Sequence, residues 1–132
     1  ISLEDGVGLI WHAFDDMKGG EIYVKKIPSM KVTDLALAVD ENAEQKEVGI
    51  RPGEKLHEQM IGQEDALYTY EYPDHFKILP SIYDWSKDPE RIGKGVQVKP
   101  DFLYCSDNNE KWMKISELKD WIKKNNNKIG KI

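Results

Sequence analysis

Cysteine is nearly absent from this sequence of 132 residues, and long hydrophobic runs are absent altogether. The single cysteine, Cys105, excludes an internal disulfide and a cysteine-rich metal cluster. No apolar run approaches the ~20 residues that are needed to cross a bilayer, and no signal peptide is recognisable. We therefore predict a cytoplasmic protein with no membrane span.

An excess of basic charge and the common catalytic signatures are also missing. Lys and Arg number 19 against 24 Asp and Glu, so the net charge is -5, which argues against a nucleic-acid partner. The three histidines, His12, His57 and His75, are scattered without metal-ligand spacing, and we predict no metal site. Nothing marks a Ser-His-Asp arrangement, and we assign no catalytic residue to this chain.

The residues that are present indicate a folded chain. Hydrophobic residues make up 39% of the sequence, and four Trp, six Tyr and three Phe require a core or a partner surface. The length suits one domain, and we predict one compact domain overall.

The N-terminal segment has the pattern of a capped amphipathic helix. Ser2 and Asp5 are spaced as in a capping box. Apolar residues then recur at helical spacing: Leu3, Val7, Ile10, Trp11, Phe14 and Met17. Gly6 and Gly8 weaken a helix by roughly 1 kcal/mol each, so we expect this helix to depend on packing.

Short strands and helices alternate through the rest of the first half, which indicates an α/β or mixed α+β fold. The predicted elements are a strand over Glu21–Val24, a helix capped by Thr33, a strand over Glu47–Ile50 and a helix over Glu54–Ile61. The second half has strand character in Ala66–Tyr72 and His75–Leu79, a loop-rich stretch over Pro80–Pro100, a helix over Glu117–Lys124 capped by Ser116, and a frayed tail.

The sequence Arg51-Pro52-Gly53-Glu54 places opposite charges across a tight turn, ahead of the helix predicted from Glu54. Arg51 could hold a phosphate bidentately with help from a helix N-terminus, and Glu54 could accept hydrogen bonds from a ribose diol. The ordinary interpretation is a charge pair within a capped turn, and spacing alone favours it, since such surface pairs are common.

Three longer stretches carry a family resemblance: "GGEIYVKKIPSMKVTDLALAV", "VGIRPGEKLHEQMI" and "YCSDNNEKWMKISELKDWI". Together they resemble the C-terminal part of the inverting UDP-N-acetylglucosamine 4,6-dehydratases. These enzymes belong to the extended short-chain dehydrogenase/reductase superfamily, in its capsule and O-antigen branch. The resemblance implies a UDP-sugar-binding part over residues 1–79. Residues 80–132 would form a loop-rich C-terminal extension that ends in a helix.

The resemblance also implies roles for individual residues. Arg51 would bind the diphosphate of UDP, and Glu54 the uridine ribose. This reverses the preference for an ordinary charge pair. The loop around Pro28 would lie along the nucleotide, with Lys26 the stronger candidate for contact and Ser29 a second one. The alternative is a connection stiffened by Pro28, whose lysines are solvated.

The cofactor implied by the resemblance is NADP, bound by an N-terminal Rossmann domain that this sequence lacks. No Gly-rich dinucleotide motif occurs here. Tyr83 and Lys87 fit the spacing Tyr-x-x-x-Lys formally, which we interpret as chance, because they lie in a predicted loop. The sequence begins with Ile1 rather than Met, as expected of a piece cut from a longer protein. Such a piece would be inactive alone, and the whole enzyme would be a homo-oligomer.

Two alternatives stay open. The chain would instead be a free-standing binding or interaction module, and the apolar surface of its first helix, especially Trp11 and Phe14, would then face a partner chain. A different enzyme, either a UDP-sugar 4-epimerase or a retaining dehydratase, would share this part of the sequence. Residues 84–100 would form a lid or a subunit contact, and the pattern does not choose between them.

Overall fold

The computed structural model describes residues 1–82 and 88–129, and side chains of the last helix up to residue 125. The spacing Tyr83 to Lys87 therefore lies outside the described residues. The chain divides into two compact units, each built from two stretches of sequence. Unit 1 comprises the described residues of Ile1–Ile27 and Gln59–Asn108, and unit 2 those of Pro28–Glu58 and Asn109–Ile132. The mixed α/β class is confirmed. The predicted division after residue 79, and the prediction of one domain overall, stay predictions.

Helices occur in both units. They are α1 (Leu3–Asp16), α2 (Val32–Val39), α3 (Gln63–Ala66), α4 (Pro89–Ile92) and α5 (Ile115–Ile129). Among them, α2 and α5 belong to unit 2, where they pack together. No helix in residues 1–82 and 88–129 is both long and apolar enough to cross a membrane.

The strands belong to unit 1. They are β1 (Ile22–Lys25), β2 (Gln59–Ile61), β3 (Thr69–Glu71), β4 (His75–Ile78), β5 (Val96–Gln97) and β6 (Tyr104–Cys105). One antiparallel sheet has the order β1-β4-β3-β5, and a second sheet pairs β2 with β6. The central strand β4 is buried along its whole length.

The hydrophobic core of unit 1 lies on one face of β4. Phe76 and Ile78 alternate with His75 and Lys77, so they point to one side of the sheet. The buried cluster consists of Val24, Ile61, Phe76, Ile78 and Tyr104, with Tyr68, Val98 and Phe102 packed around it. Phe76 meets the ring of Tyr104 with centroids 5.1 Å apart.

A buried polar network lies on the opposite face of β4. The Asp16 carboxylate at the end of α1 accepts hydrogen bonds from the Tyr23 hydroxyl at 2.6 Å and from Lys77 Nζ at 2.7 Å. Burial lowers the pKa of Lys77, but its hydrogen bonds with Asp16 and Tyr72 raise that pKa above the ordinary value. Burial and the bond to Asp16 raise the pKa of Tyr23. These bonds tie α1 to its own sheet through polar groups.

A second buried ion pair joins α4 to the turn between α1 and β1. The Glu21 side chain is only 1% exposed and receives the Arg91 guanidinium. It also accepts hydrogen bonds from the backbone N–H groups of Lys18, at 3.1 Å, and Gly19, at 2.7 Å. Burial by itself would raise the pKa of Glu21. The backbone bonds and the Arg91 charge outweigh burial and bring the pKa below its ordinary value, so the carboxylate stays ionised.

Several predicted elements are confirmed. Helix α1 begins with the capping box of Ser2 and Asp5, in which Asp5 N donates to Ser2 Oγ at 3.1 Å. Strands β1, β3 and β4 fall within or next to the predicted segments. Helix α5 buries Leu118, as its spacing predicted.

Two predicted elements around the Arg51 turn are wrong. Residues 44–50 form no strand, because Gly49 has φ of +81°, a conformation that interrupts extended backbone. No helix follows Glu54, since Gln59–Ile61 pairs with β6 instead and Ile61 is completely buried in the core. Short apolar runs do not distinguish helix from strand, and long-range pairing decided this one.

Boundaries differ elsewhere. Lys31, not Thr33, precedes α2, and α5 begins at Ile115 and extends to Ile129 through the predicted frayed tail. Glu117 caps α5 by accepting from Lys114 N at 2.7 Å. The predicted loop over Pro80–Pro100 contains α4 and β5, because β5 pairs with β3.

We expect the variant Arg91→Met to be less stable than the unmodified chain by ~3–5 kcal/mol, because it leaves Glu21 buried without its cation. Urea unfolding measures the difference. The matched control Lys25→Met removes the more exposed pair with Asp74, and it should cost at most about 1 kcal/mol. Equal losses for the two variants would contradict the assignment.

Candidate functional site

The turn of Arg51 and Glu54 is the candidate site, and it lies in unit 2. Pro52 and Gly53 occupy its two central positions, and Glu54 N donates to Arg51 O at 3.0 Å. Gly53 has φ of +85°, which the third position of a type II turn requires and which favours glycine. The local sequence therefore specifies the turn that brings the two charged side chains together.

The charged groups form a fork on one side of this turn. Arg51 Nε donates to Glu54 Oε1 at 2.8 Å, and Nη2 lies 2.6 Å from the same oxygen. Arg51 N donates to Glu54 Oε2 at 2.7 Å. The backbone bond, followed by the guanidinium, lowers the pKa of Glu54, so its carboxylate is ionised at neutral pH.

The pair is exposed to solvent. The Arg51 side chain is 86% exposed and that of Glu54 is about half as exposed. Ion pairs in such positions contribute little to stability, because water and salt screen them. A ligand anion can therefore replace Glu54 as a partner of Arg51 at small cost.

An open cavity of about 950 Å³ lies beside the turn, within unit 2. Its lining residues are Glu47, Val48, Gly49, Ile50, Gly53, Glu54, Lys55, Leu56 and Glu58. Three glutamates and one lysine make this lining acidic. Such a lining favours hydroxyl and amide donors over phosphate groups, so an anion would be placed at Arg51 outside it.

The predicted contribution of a helix N-terminus to this site is wrong. Residues 54–58 are irregular and lead into β2, so no helix dipole points at a ligand here. Any anion binding at the turn has to come from the Arg51 side chain and nearby backbone N–H groups.

Ser29 lies in the same unit as Arg51, and it is buried in a structural position. Ser29 N donates to Lys111 O, and Ser29 O accepts from Met113 N, each at 2.8 Å. These two hydrogen bonds form an isolated parallel bridge between Ser29 and Trp112. Ser29 Oγ accepts from Asn109 Nδ2 at 3.2 Å. These bonds join the two stretches of sequence that make up unit 2.

Lys26 belongs to unit 1. Its Nζ bonds Glu71 Oε1 at 2.6 Å and lies 4.9 Å from the centre of the Phe76 ring. Both contacts hold the side chain along the sheet. The structure therefore brings Arg51 and Glu54 together, while Lys26 and Ser29 are each engaged in contacts of their own.

Sequence reasoning missed a cluster of aromatic and imidazole rings around the buried His75 in unit 1. The Tyr72 ring stacks on His75 with centroids 4.6 Å apart, and the His12 ring approaches it at 4.7 Å. His75 Nδ1 lies 2.9 Å from Asp74 Oδ1, while its buried Nε2 has no hydrogen-bond partner among the described residues. The only signal in the sequence is the unusual pair of polar residues, His75 and Lys77, on one face of a predicted strand.

Comparison with protein families identifies the chain's family. Residues 1–80 match the family described as "Polysaccharide biosynthesis protein". This match covers more than half of the chain and includes the Arg51 turn. The chain belongs to this family of polysaccharide biosynthesis proteins.

Individual relatives agree with that assignment. The chain is 49% identical over 127 residues to a protein of Campylobacter jejuni named "UDP-N-acetylglucosamine 4,6-dehydratase (inverting)", with 92% of the chain and 38% of the relative covered. It is 32% identical over 128 residues to a "UDP-glucose 4-epimerase" of Rickettsia massiliae, covering 92% of the chain and 37% of that protein. The resemblance to the dehydratases is confirmed, and the chain spans well under half of these relatives.

A solved structure also matches the fold. The X-ray structure of Pen from Bacillus thuringiensis superposes with a TM-score of 0.75 and 28% identity, covering 96% of this chain and 37% of Pen.

Replacing Arg51 by Ala should raise the pKa of Glu54 toward its ordinary value of 4.5, because the guanidinium that stabilises the carboxylate is lost. The rise should be partial, since the backbone N–H of residue 51 still donates. Carboxyl chemical shifts followed by NMR through an acid titration measure it. Lys46→Ala, an exposed cation of the same unit, serves as the control and should leave that pKa unchanged. The same pKa in all three proteins would contradict the fork geometry.

Proposed function

We propose that this chain is the UDP-sugar-binding part of an NADP-dependent UDP-N-acetylglucosamine 4,6-dehydratase of the inverting type, acting in bacterial surface polysaccharide biosynthesis. The observation that carries the proposal is the exposed Arg51–Glu54 fork beside an acidic cavity, in a chain 49% identical to a protein of that name. The chain supplies nucleotide anchoring, and by itself it performs no chemistry.

Arg51 is the diphosphate ligand in this proposal. A guanidinium offers five N–H donors in a planar fork that matches two phosphate oxygens. Its present partner, Glu54, holds it on one edge through a weak, exposed ion pair. The exchange of one oxygen partner for another needs a small rotation of the side chain and no unfolding of the turn.

Glu54 is the ribose ligand. A carboxylate has about four lone-pair positions, and Arg51 uses both oxygens, with two contacts at Oε1 and one at Oε2. One ribose hydroxyl fits at Oε2 beside the Arg51 backbone bond. A bidentate grip on both hydroxyls requires that the guanidinium moves away, and this is the movement that diphosphate binding produces.

Lys26 and Ser29 have weaker roles in the proposal. Lys26 is paired with Glu71, so a direct bond to the nucleotide would require it to leave that partner. Ser29 would act by fixing the backbone of the Pro28 loop through its bonds to Lys111 and Met113.

The cofactor and partners belong to the rest of the proposed enzyme. Because this sequence has no Gly-rich dinucleotide motif, we assign NADP to a Rossmann domain in the part of the relatives that this chain does not span. When bound there, NADP supplies reversible hydride transfer at the sugar. The remote grip on UDP helps to position the sugar ring for that chemistry. We further propose that the full protein is a cytoplasmic homo-oligomer.

A second candidate, UDP-sugar 4-epimerase, has its own support. The relatives named UDP-glucose 4-epimerase cover 92% of this chain at 32% identity. Both candidates share the UDP grip and differ in the reaction at the sugar. Supplying UDP-N-acetylglucosamine to the full-length protein and identifying the product by mass decides between them: a dehydratase product is lighter by one water, and an epimer is not.

UDP added to the chain should shift the amide resonances of residues 49–57 in NMR spectra. Arg51→Ala should weaken this binding about tenfold or more, because charge-assisted hydrogen bonds to phosphate are lost. Arg51→Lys should recover part of the affinity, since it keeps the charge and loses the fork.

The control for this titration is Lys46→Ala, which removes one positive charge from the same unit at a residue that does not line the cavity. It should bind UDP within about twofold of the unmodified chain, as expected for a screened surface charge. If Arg51→Ala and Lys46→Ala weaken binding alike, or if the shifted resonances avoid residues 49–57, the Arg51 and Glu54 assignment fails.

A further inference from the structure

His75 holds a buried ring nitrogen that no described residue binds. The residue is 5% exposed and lies on the central strand β4 of unit 1. Its Nε2 is buried and has no hydrogen-bond partner in the described part of the chain. Buried polar atoms nearly always have a partner, so an exception requires a physical reason.

The Asp74 carboxylate fixes which nitrogen of His75 carries the proton. The bond from Lys25, followed by the bond with His75, lowers the pKa of Asp74, so this carboxylate is ionised at neutral pH. An ionised carboxylate only accepts, and His75 Nδ1, 2.9 Å from Asp74 Oδ1, is therefore the donor. In the neutral ring Nε2 is then the unprotonated nitrogen.

Aromatic rings from three parts of unit 1 surround His75. Tyr72 stacks on it with the ring planes 4° apart, and the His12 ring of α1 meets it at 4.7 Å between centroids. The Tyr23 ring of β1 lies 5.9 Å away. A second proton on His75 would sit on Nε2 as a buried N–H without an acceptor, and burial of such a group is costly.

The charges around the ring leave no partner for a positive His75. The titratable groups of the surrounding elements are His12 and Asp16 of α1, Tyr23 and Lys25 of β1, Tyr72 and Asp74 before β4, and Lys77 on β4 itself. Asp16 is paired with the buried Lys77 ammonium, and the exposed Asp74 is shared with Lys25. Two ammonium groups thus balance the two carboxylates of this set.

We infer that His75 makes the contact between α1 and β4 acid-sensitive: the neutral ring holds the helix around His12 on the sheet, and protonation of His75 releases it. Imidazole is the side chain that ordinarily changes charge between pH 5 and 8. Helix α1 contributes no buried residue, so its release exposes little apolar core. The inference concerns unit 1 and does not depend on the ligand proposed for Arg51.

Thermal melting at pH 7.5 and pH 5.5 is the first test. The opened state takes up a proton that the closed state excludes, so the chain should melt at least ~5 °C lower at pH 5.5. The carboxylates do not titrate in this window. Although burial raises the pKa of Asp16, bonds with Lys77 and Tyr23 bring it below the ordinary 3.8, and its contribution is lost only in stronger acid.

Variants of the histidines assign the effect. His75→Phe keeps a flat ring against Tyr72 and takes up no proton, so its melting temperature should differ by less than ~2 °C between the two pH values. His57→Gln, at an exposed residue of unit 2, is the control and should keep the full difference. A full difference in His75→Phe, or its loss in His57→Gln, would overturn the inference.

Measurements on the unmodified chain decide the question even if His75→Phe does not fold. Nitrogen chemical shifts in NMR spectra should show Nδ1 protonated and Nε2 unprotonated at pH 7.5. Amide exchange in α1, corrected for the intrinsic effect of pH, should be at least ~10-fold faster at pH 5.5, while exchange in α5 changes little. A doubly protonated His75 in a chain whose α1 exchange is unchanged would contradict the inference.

Discussion

The position of α1 in unit 1 depends on the hydrogen bonds that the Asp16 carboxylate accepts. It accepts from Tyr23 on β1 and from Lys77 on β4, and it thereby joins the end of α1 to two neighbouring strands. Lys77 is buried, so its charge has to be matched by this carboxylate, because an unpaired buried cation costs several kcal/mol. The bond therefore holds the end of α1 to the sheet, while Trp11 and Phe14 on the same helix remain exposed.

The candidate site depends on local geometry of a different kind. In unit 2, Pro52 and Gly53 set a tight turn, and the backbone of Arg51 and its guanidinium converge on Glu54. The fork needs few long-range contacts, and its ion pair is exposed, which leaves Arg51 available to a ligand. The buried ion pair of Asp16 and Lys77 stabilises unit 1, because its charges are shielded from water. The exposed ion pair of Arg51 and Glu54 in unit 2 is weak, so Arg51 can exchange its partner for a ligand. A nucleotide-anchoring site requires such an exchange.

Much of the fold could be predicted from residue patterns. The capping box, the spacing of apolar residues in α1 and the strand character of the segments around β3 and β4 each have a local cause, and each element is present. The segment after Glu54 could not be predicted in the same way. Its apolar residues fit a helix or a strand, and the choice was made by pairing with β6 and by burial of Ile61. The candidate site divides similarly, since the Arg51–Glu54 fork follows from a four-residue motif, while the positions of Lys26 and Ser29 follow from partners far along the chain.

The sequence by itself determined the family, the α/β class and the turn that joins Arg51 to Glu54, because each of these rests on residues close together in the chain. Only the tertiary structure decided which side of α1 faces its sheet. Apolar periodicity predicts that a helix has an apolar side, but the sequence does not state what that side meets. Here the long-range bond from Asp16 to Lys77, 61 positions apart, fixes the end of α1 on β4, and Trp11 and Phe14 remain exposed. The physical reason is that the buried charge of Lys77 has to be paired, and the carboxylate that pairs with it lies far away in the sequence.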